Sequence, residues 1–183
     1  ANPDIMYDYK PHIGTDVLRK VVRNMRDKII EMGGEFRFQT CLTDLHIKDH
    51  RLVEIELNGK EMIPCSNLVL AIGHSARDTF QMLLEKNINM SAKPFALGVR
   101  IEHSQSMINE SQYGIKSHAK LAPASYKLTY TTTSGRGVYS FCMCPGGYVV
   151  NASSEEGLLA INGMSNYNRE SENANSAIVV SVK

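Results

Sequence analysis

An α+β fold is predicted by this 183-residue sequence, and three features carry that prediction. An amphipathic pattern of helical period runs from Gly14 to Met32 and stops at Gly33-Gly34. A hairpin is marked by Asn58-Gly59 between two alternating runs. Beyond Pro94, short apolar runs are separated by turn residues, as in an antiparallel sheet or partial barrel. The boundary is expected between Arg77 and Pro94, which divides the chain into residues 1–85 and 86–183.

In the helical pattern, Val17, Leu18, Val21, Val22, Met25, Ile29, Ile30 and Met32 form one apolar stripe with charges opposite. Thr15 or Asp16 is positioned to cap its first free N–H groups, and glycine at the end tolerates the left-handed position after a helix. Glu35–Thr40 alternates as a half-buried strand should, and Leu42–Ile47 is extended. Asp49-His50 suits a turn, and Arg51–Leu57 alternates again. Asn58-Gly59 calls for a type I′ turn, where both central residues need positive φ, and Lys60–Ile63 returns. Leu68–Ile72, apolar throughout and closed by Gly73, reads as a strand buried on both faces.

Thr79–Lys86 reads as a short helix and Phe95–Glu102 as a strand. Further strands are expected at Lys127–Thr133, Val138–Cys144, Tyr148–Ser153, Leu158–Ile161 and Ser176–Val182. Turns at Ser134-Gly135-Arg136-Gly137 and Pro145-Gly146-Gly147 separate some of them, and Asn166–Asn175 is a polar tract.

A net charge of +1 with interspersed signs excludes the basic stripe of a nucleic-acid binder. The run Arg19–Arg26 lies on the predicted helix and reads as its solvated face. No apolar run is long enough to cross a bilayer and no signal peptide opens the chain. A start at Ala1-Asn2-Pro3 without Met, and an end at Lys183 directly after a strand-like run, read as an excised segment. Cys41, Cys65, Cys142 and Cys144 are expected as reduced thiols of a cytoplasmic protein. Cys142 and Cys144 point to one strand face as small buried residues. No metal site is expected: the His46/His50 spacing spans a turn, where the rings do not converge. Gly-x-Ser-x-Gly is absent, against a hydrolase nucleophile.

The order helix, Gly-Gly, strand, Asn-Gly hairpin and apolar strand closing on Ala71-Ile72-Gly73 resembles the glutathione-reductase-type flavoprotein fold. Four segments in order are similar to one bacterial family, the uncharacterised FAD-dependent or NAD(FAD)-utilising dehydrogenases. They are Lys10–Asp16, Ala71–Asp78, Lys93–His103 and Tyr139–Gly147. The resemblance implies part of an FAD-binding domain over residues 1–85 and an inserted, β-rich substrate-side domain over 86–183. It implies transfer of electrons or hydride between FAD and an unidentified small molecule, with NAD(P) as a further cofactor option and no nucleic-acid or membrane partner.

Carried over from that family, Leu42 follows the first strand where backbone groups meet adenine, and Ala71, Ile72 and Gly73 lie beside the dinucleotide with His74 facing the cofactor or its entrance, against a plainer reading as a tight strand exit. Arg100, His103, Arg136 and Arg169 are candidates to hold an anionic substrate or reduced flavin, against a plainer reading as surface or ion-paired residues. Arg77-Asp78 reads as a local pair or a helix cap, and Tyr139 and Cys142 as strand packing that could also approach a flavin. The pyrophosphate motif Gly-x-Gly-x-x-Gly is missing. The phosphate loop is therefore expected upstream of Ala1, in the remainder of the same FAD domain, and this chain alone is expected to bind FAD weakly or not at all. A non-catalytic β-rich binding module is the alternative. A complete NAD-binding enzyme fails on the missing loop and on the lack of βαβ units.

Overall fold

The computed structural model describes residues 3–7 and 11–182. Ala1, Asn2, Lys10 and Lys183, used above to read the chain ends and the first resembling segment, lie outside the described residues. The class is α+β, with antiparallel sheets and two compact units. One unit is Gly33–Ala92; the other joins the residues up to Met32 to those from Lys93 onward. The units thus divide the chain at Met32 and at Ala92, where the sequence pointed to a single division after residue 85.

In the Gly33–Ala92 unit, β1 (Leu42–Lys48), β2 (Arg51–Leu57) and β3 (Glu61–Pro64) form an antiparallel meander in that order. Both turns obey local chemistry. Asp49 and His50 have φ of 51° and 60°, and Asn58 and Gly59 have 54° and 70°. Asn58 does more than turn the chain. Its side-chain oxygen accepts from the Cys41 N–H at 2.8 Å and its amide donates to the Gln39 carbonyl at 3.2 Å, pinning the segment that enters β1. The helix α2 (Arg77–Glu85) packs on β1, and Leu45, Leu57, Thr79 and Leu83 are buried. Lys86, just past α2, reaches Asp44 on β1 at 2.7 Å.

Two expected strands are absent from this unit. Glu35–Thr40 is irregular, with Phe38 exposed and Gln39 at positive φ. Leu68–Ile72 is irregular too, and Val69 is 90% exposed. An apolar run becomes a buried strand only when neighbouring strands take its backbone hydrogen bonds and layers cover its faces. Among the described residues the meander ends at β3 on one side and β1 on the other, and neither segment pairs with it.

In the second unit, β4 (Phe95–Ser104), β9 (Asn173–Val182), β6 (Gly137–Cys144) and β5 (Thr129–Thr131) form a four-stranded antiparallel sheet in the order β4-β9-β6-β5. A separate ribbon pairs β7 (Gly147–Asn151) with β8 (Ile161–Ser165). Leu158–Ile161 is therefore not the expected strand; β8 starts at its last residue. Between β4 and β5, α3 (Gln105–Tyr113) escaped the sequence reading because Met107 and Ile108 are too few apolar residues to show a helical period. Its end signals were present: the Ser104 hydroxyl accepts from the Met107 N–H, and Gly114 has φ of 73°.

The long helix α1 (Gly14–Glu31) has the predicted bounds, and Gly33 past its end has φ of 90°. Its start differs from expectation, because no side chain caps it. Thr15 instead donates to the Met164 sulfur at 3.2 Å, and the Asp16 carboxylate accepts the Tyr167 N–H at 2.9 Å. A Cβ at Gly14 would collide with the backbone of Asn166 and Tyr167. His12 stacks on Tyr167 and donates to the Asn166 carbonyl. These contacts seat α1 beside β8, some 150 residues away in sequence. The middle and end of its apolar stripe, from Leu18 to Met32, stay largely exposed.

Two outcomes check the first unit. Asn58→Ala is expected to cost about 1–2 kcal/mol through lost hydrogen bonds and a strained positive φ. Asn58→Gly should cost less in the same urea titration; equal losses would assign the whole effect to the amide bonds. Hydrogen bonding from Lys86 holds the Asp44 carboxyl below its ordinary 3.8. A lowered folded-state pKa gives stability that is present above the unfolded value and is lost as pH falls through the folded one. Acid unfolding of Lys86→Met should therefore depend less steeply on pH below about 4 than that of the parent chain.

Candidate functional site

The Arg100 side chain belongs to a buried polar cluster of the second unit. Facing residues of an antiparallel ladder share one side of the sheet. Ala96, Gly98, Arg100 and Glu102 of β4 therefore lie on one side with Ser181, Val179, Ala177 and Asn175 of β9. The β7–β8 ribbon meets that side at Gly163, whose Cα sits where a Cβ would run into Arg100 Nη1, Asn175 Oδ1 and, at 3.0 Å, Cys144 Sγ.

Arg100 Nη1 donates to Asn175 Oδ1 at 2.7 Å and to the Cys142 carbonyl at 3.2 Å. Asn175 is fully buried, at 0% exposure. Cys144 donates its S–H to the same Cys142 carbonyl at 3.3 Å. Burial pushes the Cys144 thiol above its ordinary 9.0, while the nearby Arg100 and Arg169 charges pull the other way. Arg169 belongs to the same neighbourhood: a Cβ at Gly146, two residues past Cys144, would strike its backbone.

The expected pairing of Cys142 and Cys144 on one strand face does not occur. The β6–β9 register shifts between Phe141 and Cys144, and Cys142 takes φ of 47° with an exposed side chain. One extra residue in a ladder breaks the alternation of side chains, so a two-residue spacing no longer implies a shared face. All four cysteines are free, and no group of three His, Cys, Asp or Glu side chains fit for a metal occurs among the described residues.

The other candidate residues of this unit, His103 and Arg136, do not converge with Arg100. His103 is three residues along β4 and so lies on the opposite face. There its Nε2 shares a 2.9 Å hydrogen bond with the Tyr126 hydroxyl, and its Nδ1 is buried without a partner. Tyr126 carried no periodic signal, and only the fold brings it to His103. Arg136 is exposed at the turn between β5 and β6, held through its backbone by Thr132. Tyr139, half-buried on β6, faces Thr129 and Val179. In the other unit Leu42 opens β1, half-buried opposite Leu57. Ala71, Ile72, Gly73 and His74 form an exposed irregular segment, in which Nδ1 of His74 bonds the Ser75 hydroxyl at 2.8 Å. Arg77 and Asp78 start α2.

Sequence reasoning missed Asn175 because it sits in a polar tract that reads as a surface loop. Asn175 and Ser176 are fully buried and strand-paired instead. The run of small side chains Asn173-Ala174-Asn175-Ser176, leading into Ala177-Ile178-Val179-Val180, was the signal available.

Residues 94–183 match the family model described as FAD-dependent protein, C-terminal domain-like. The match covers β4 through β9 and so contains the Arg100 cluster, and it points to an FAD-dependent family for that part of the chain. An uncharacterised protein of Clostridium beijerinckii is 54% identical over 184 aligned residues. The alignment takes in the whole of this chain and 34% of that relative, so the chain spans about a third of its length. No helix among the described residues is long and apolar enough to cross a membrane.

The environment of Cys144 has a direct readout. Alkylation mapped by mass spectrometry near pH 8 should modify exposed Cys41 and Cys142 several-fold faster than Cys144, whose thiolate is disfavoured by burial. Equal rates at Cys142 and Cys144 would contradict the packing of Gly147 and Gly163 against the Cys144 side chain.

Proposed function

We propose that this chain is part of an FAD-dependent oxidoreductase of the dehydrogenase type and has no turnover by itself. The observation that carries the reading is the match of residues 94–183 to the FAD-dependent C-terminal-like model. On this reading FAD supplies the hydride or electron chemistry, and the protein supplies position, electrostatics and exclusion of water. NAD(P) as electron partner belongs to the same proposal.

The residues of this chain fit only part of an FAD site. Gly73 has φ of 71°, and a Cβ there would meet nothing within 4 Å, so the Ala71–His74 backbone is open to close approach. The pyrophosphate grip is not made here. The sequence lacks Gly-x-Gly-x-x-Gly, and the backbone of Asn166 and Tyr167 fills the space at the first turn of α1. We therefore assign Leu42 and Ala71–His74 a flanking place beside the cofactor, and derive no flavin step from these residues. The remaining grip would come from the part of the parent protein beyond this third. Exposed apolar surface on α1 and at Phe95, Leu97 and Val99 of β4 supports a large further partner surface, which we take to be the rest of the same protein. Arg100 and His103, on opposite faces, would then meet different groups, and Arg136 would reach substrate only from its turn.

The full-length parent should keep a flavin absorption spectrum through gel filtration. The 183-residue chain alone should give no saturable heat in a calorimetric titration with FAD. Tight stoichiometric binding to the chain alone would show that the grip lies within it, and a colourless parent that ignores added FAD would leave the non-catalytic β-rich module as the better account.

A further inference from the structure

We propose that Arg100, Arg169 and Asn175 form a binding site for a small oxyanion, with a planar carboxylate as the better-fitting class. The Arg100 guanidinium is half-buried in the middle of β4, yet both of its hydrogen-bond acceptors, Asn175 Oδ1 and the Cys142 carbonyl, are neutral. Its Nε–H is buried and has no acceptor among the described residues. The Nε–H of Arg169 is likewise buried and without an acceptor. Asn175, at 0% exposure, spends its oxygen on Arg100 and leaves its amide N–H₂ unpartnered.

Arg100 and Asn175, beside Cys144, and Arg169, near enough for its charge to act on that thiol, thus hold unpaired donors, and none of them holds an unpaired acceptor. Neither arginine has an acidic partner among the described residues. A buried donor left unsatisfied is costly, and an uncompensated buried charge is more so. A fold that keeps such donors unpaired in one region is suited to a group carrying negative charge and several lone pairs. The planar guanidinium fork matches carboxylate and phosphate oxygens and matches little else of small size.

The surroundings favour the flatter group. Gly163 brings the β8 backbone against Arg100 Nη1, Asn175 Oδ1 and Cys144 Sγ, so this side of the cluster is closed to bulk. The Gly146–Gly147 turn approaches as closely: a Cβ at Gly146 would strike the Arg169 backbone, and one at Gly147 would lie 3.1 Å from Cys144 Cβ. Glycine at these positions lets the backbone pack directly against the groups that carry the donors, whose Nε and Nδ2 atoms are buried. The inference is independent of flavin, since every group in it belongs to the second unit and none belongs to the Ala71–His74 segment.

The test uses the 183-residue chain without FAD. Acetate, inorganic phosphate and chloride are titrated separately while the side-chain Nε–H resonances of the arginines are followed by NMR. Acetate or phosphate should move the Arg100 and Arg169 resonances saturably, with a dissociation constant on the order of 1–10 mM, and leave Arg136 unmoved. Chloride at equal ionic strength should do neither. The stronger of the two oxyanions then names the ligand class. Arg169→Gln should weaken the effect at Arg100 about tenfold, and Arg169→Lys, which keeps the charge without the fork, serves if the first variant unfolds. Dispersed β4 and β9 amide signals in the same spectra report the fold of each variant. Unmoved Arg100 and Arg169 resonances, or responses unchanged in both variants, would overturn the site.

Discussion

The pairing of β4 with β9 is the constraint on which the second unit depends. Ten residues of each strand run in unbroken antiparallel register from Phe95↔Val182 to Ser104↔Asn173. This ladder closes the long loop of residues 105–172, an expensive step in chain entropy that only continuous hydrogen bonding and packing offset. Once closed, β9 is central: its other edge takes β6, and β6 takes β5. Gln105, the first residue of α3, donates its N–H to the Glu172 carbonyl just before β9, so the helix is hung on the end of the same ladder. Its side chain then bridges outward, accepting the Gly146 N–H and donating to the Ala124 carbonyl.

Burial along that ladder is uneven, and this is what makes the Arg100 cluster. At the Asn173–Ser176 end the strand is covered, and two polar side chains, Asn175 and Ser176, are fully buried. At the Phe95–Val99 end the face opposite Arg100 is apolar and open, with Leu97 67% exposed. The usual order of a sheet, apolar inside and polar outside, is locally reversed. Polar burial is tolerated where each group is bonded. Here Ser176 donates to backbone carbonyls, while Asn175 and Arg100 bond one another and keep donors to spare. An open apolar face thus stands beside a buried polar cluster, the first proposed to be covered by further protein and the second to hold an oxyanion.

The Gly33–Ala92 unit rests on a different kind of interaction. Its order comes from two turns with consecutive positive φ and from one side chain, Asn58, that ties the entry of β1 to the exit of β2. Such features are local, and they survive without the sheet neighbours that Leu68–Ile72 would need. The meander is accordingly well formed while the apolar segment after it is not a strand.

What the sequence by itself determined is everything written over a few neighbouring residues. The α+β class, the bounds of α1, the Asp49-His50 and Asn58-Gly59 turns, β2, and the positions of β4 and β6 were all legible from period and turn chemistry. Of the candidate site, the sequence offered Arg100, His103, Arg136 and Arg169 alike as residues able to hold an anion, without separating them from surface residues. Tertiary structure decided the rest. It gave Leu68–Ile72 no partner, placed α1 on β8 through Asp16 and Thr15, and turned Cys142 away from Cys144 by a bulge. It also buried Asn175 beneath Arg100 and set His103 on the other face. The physical reason is the same throughout. Turn conformation and helical period are properties of adjacent residues, whereas the burial of a polar side chain depends on which distant strand is hydrogen-bonded beside it.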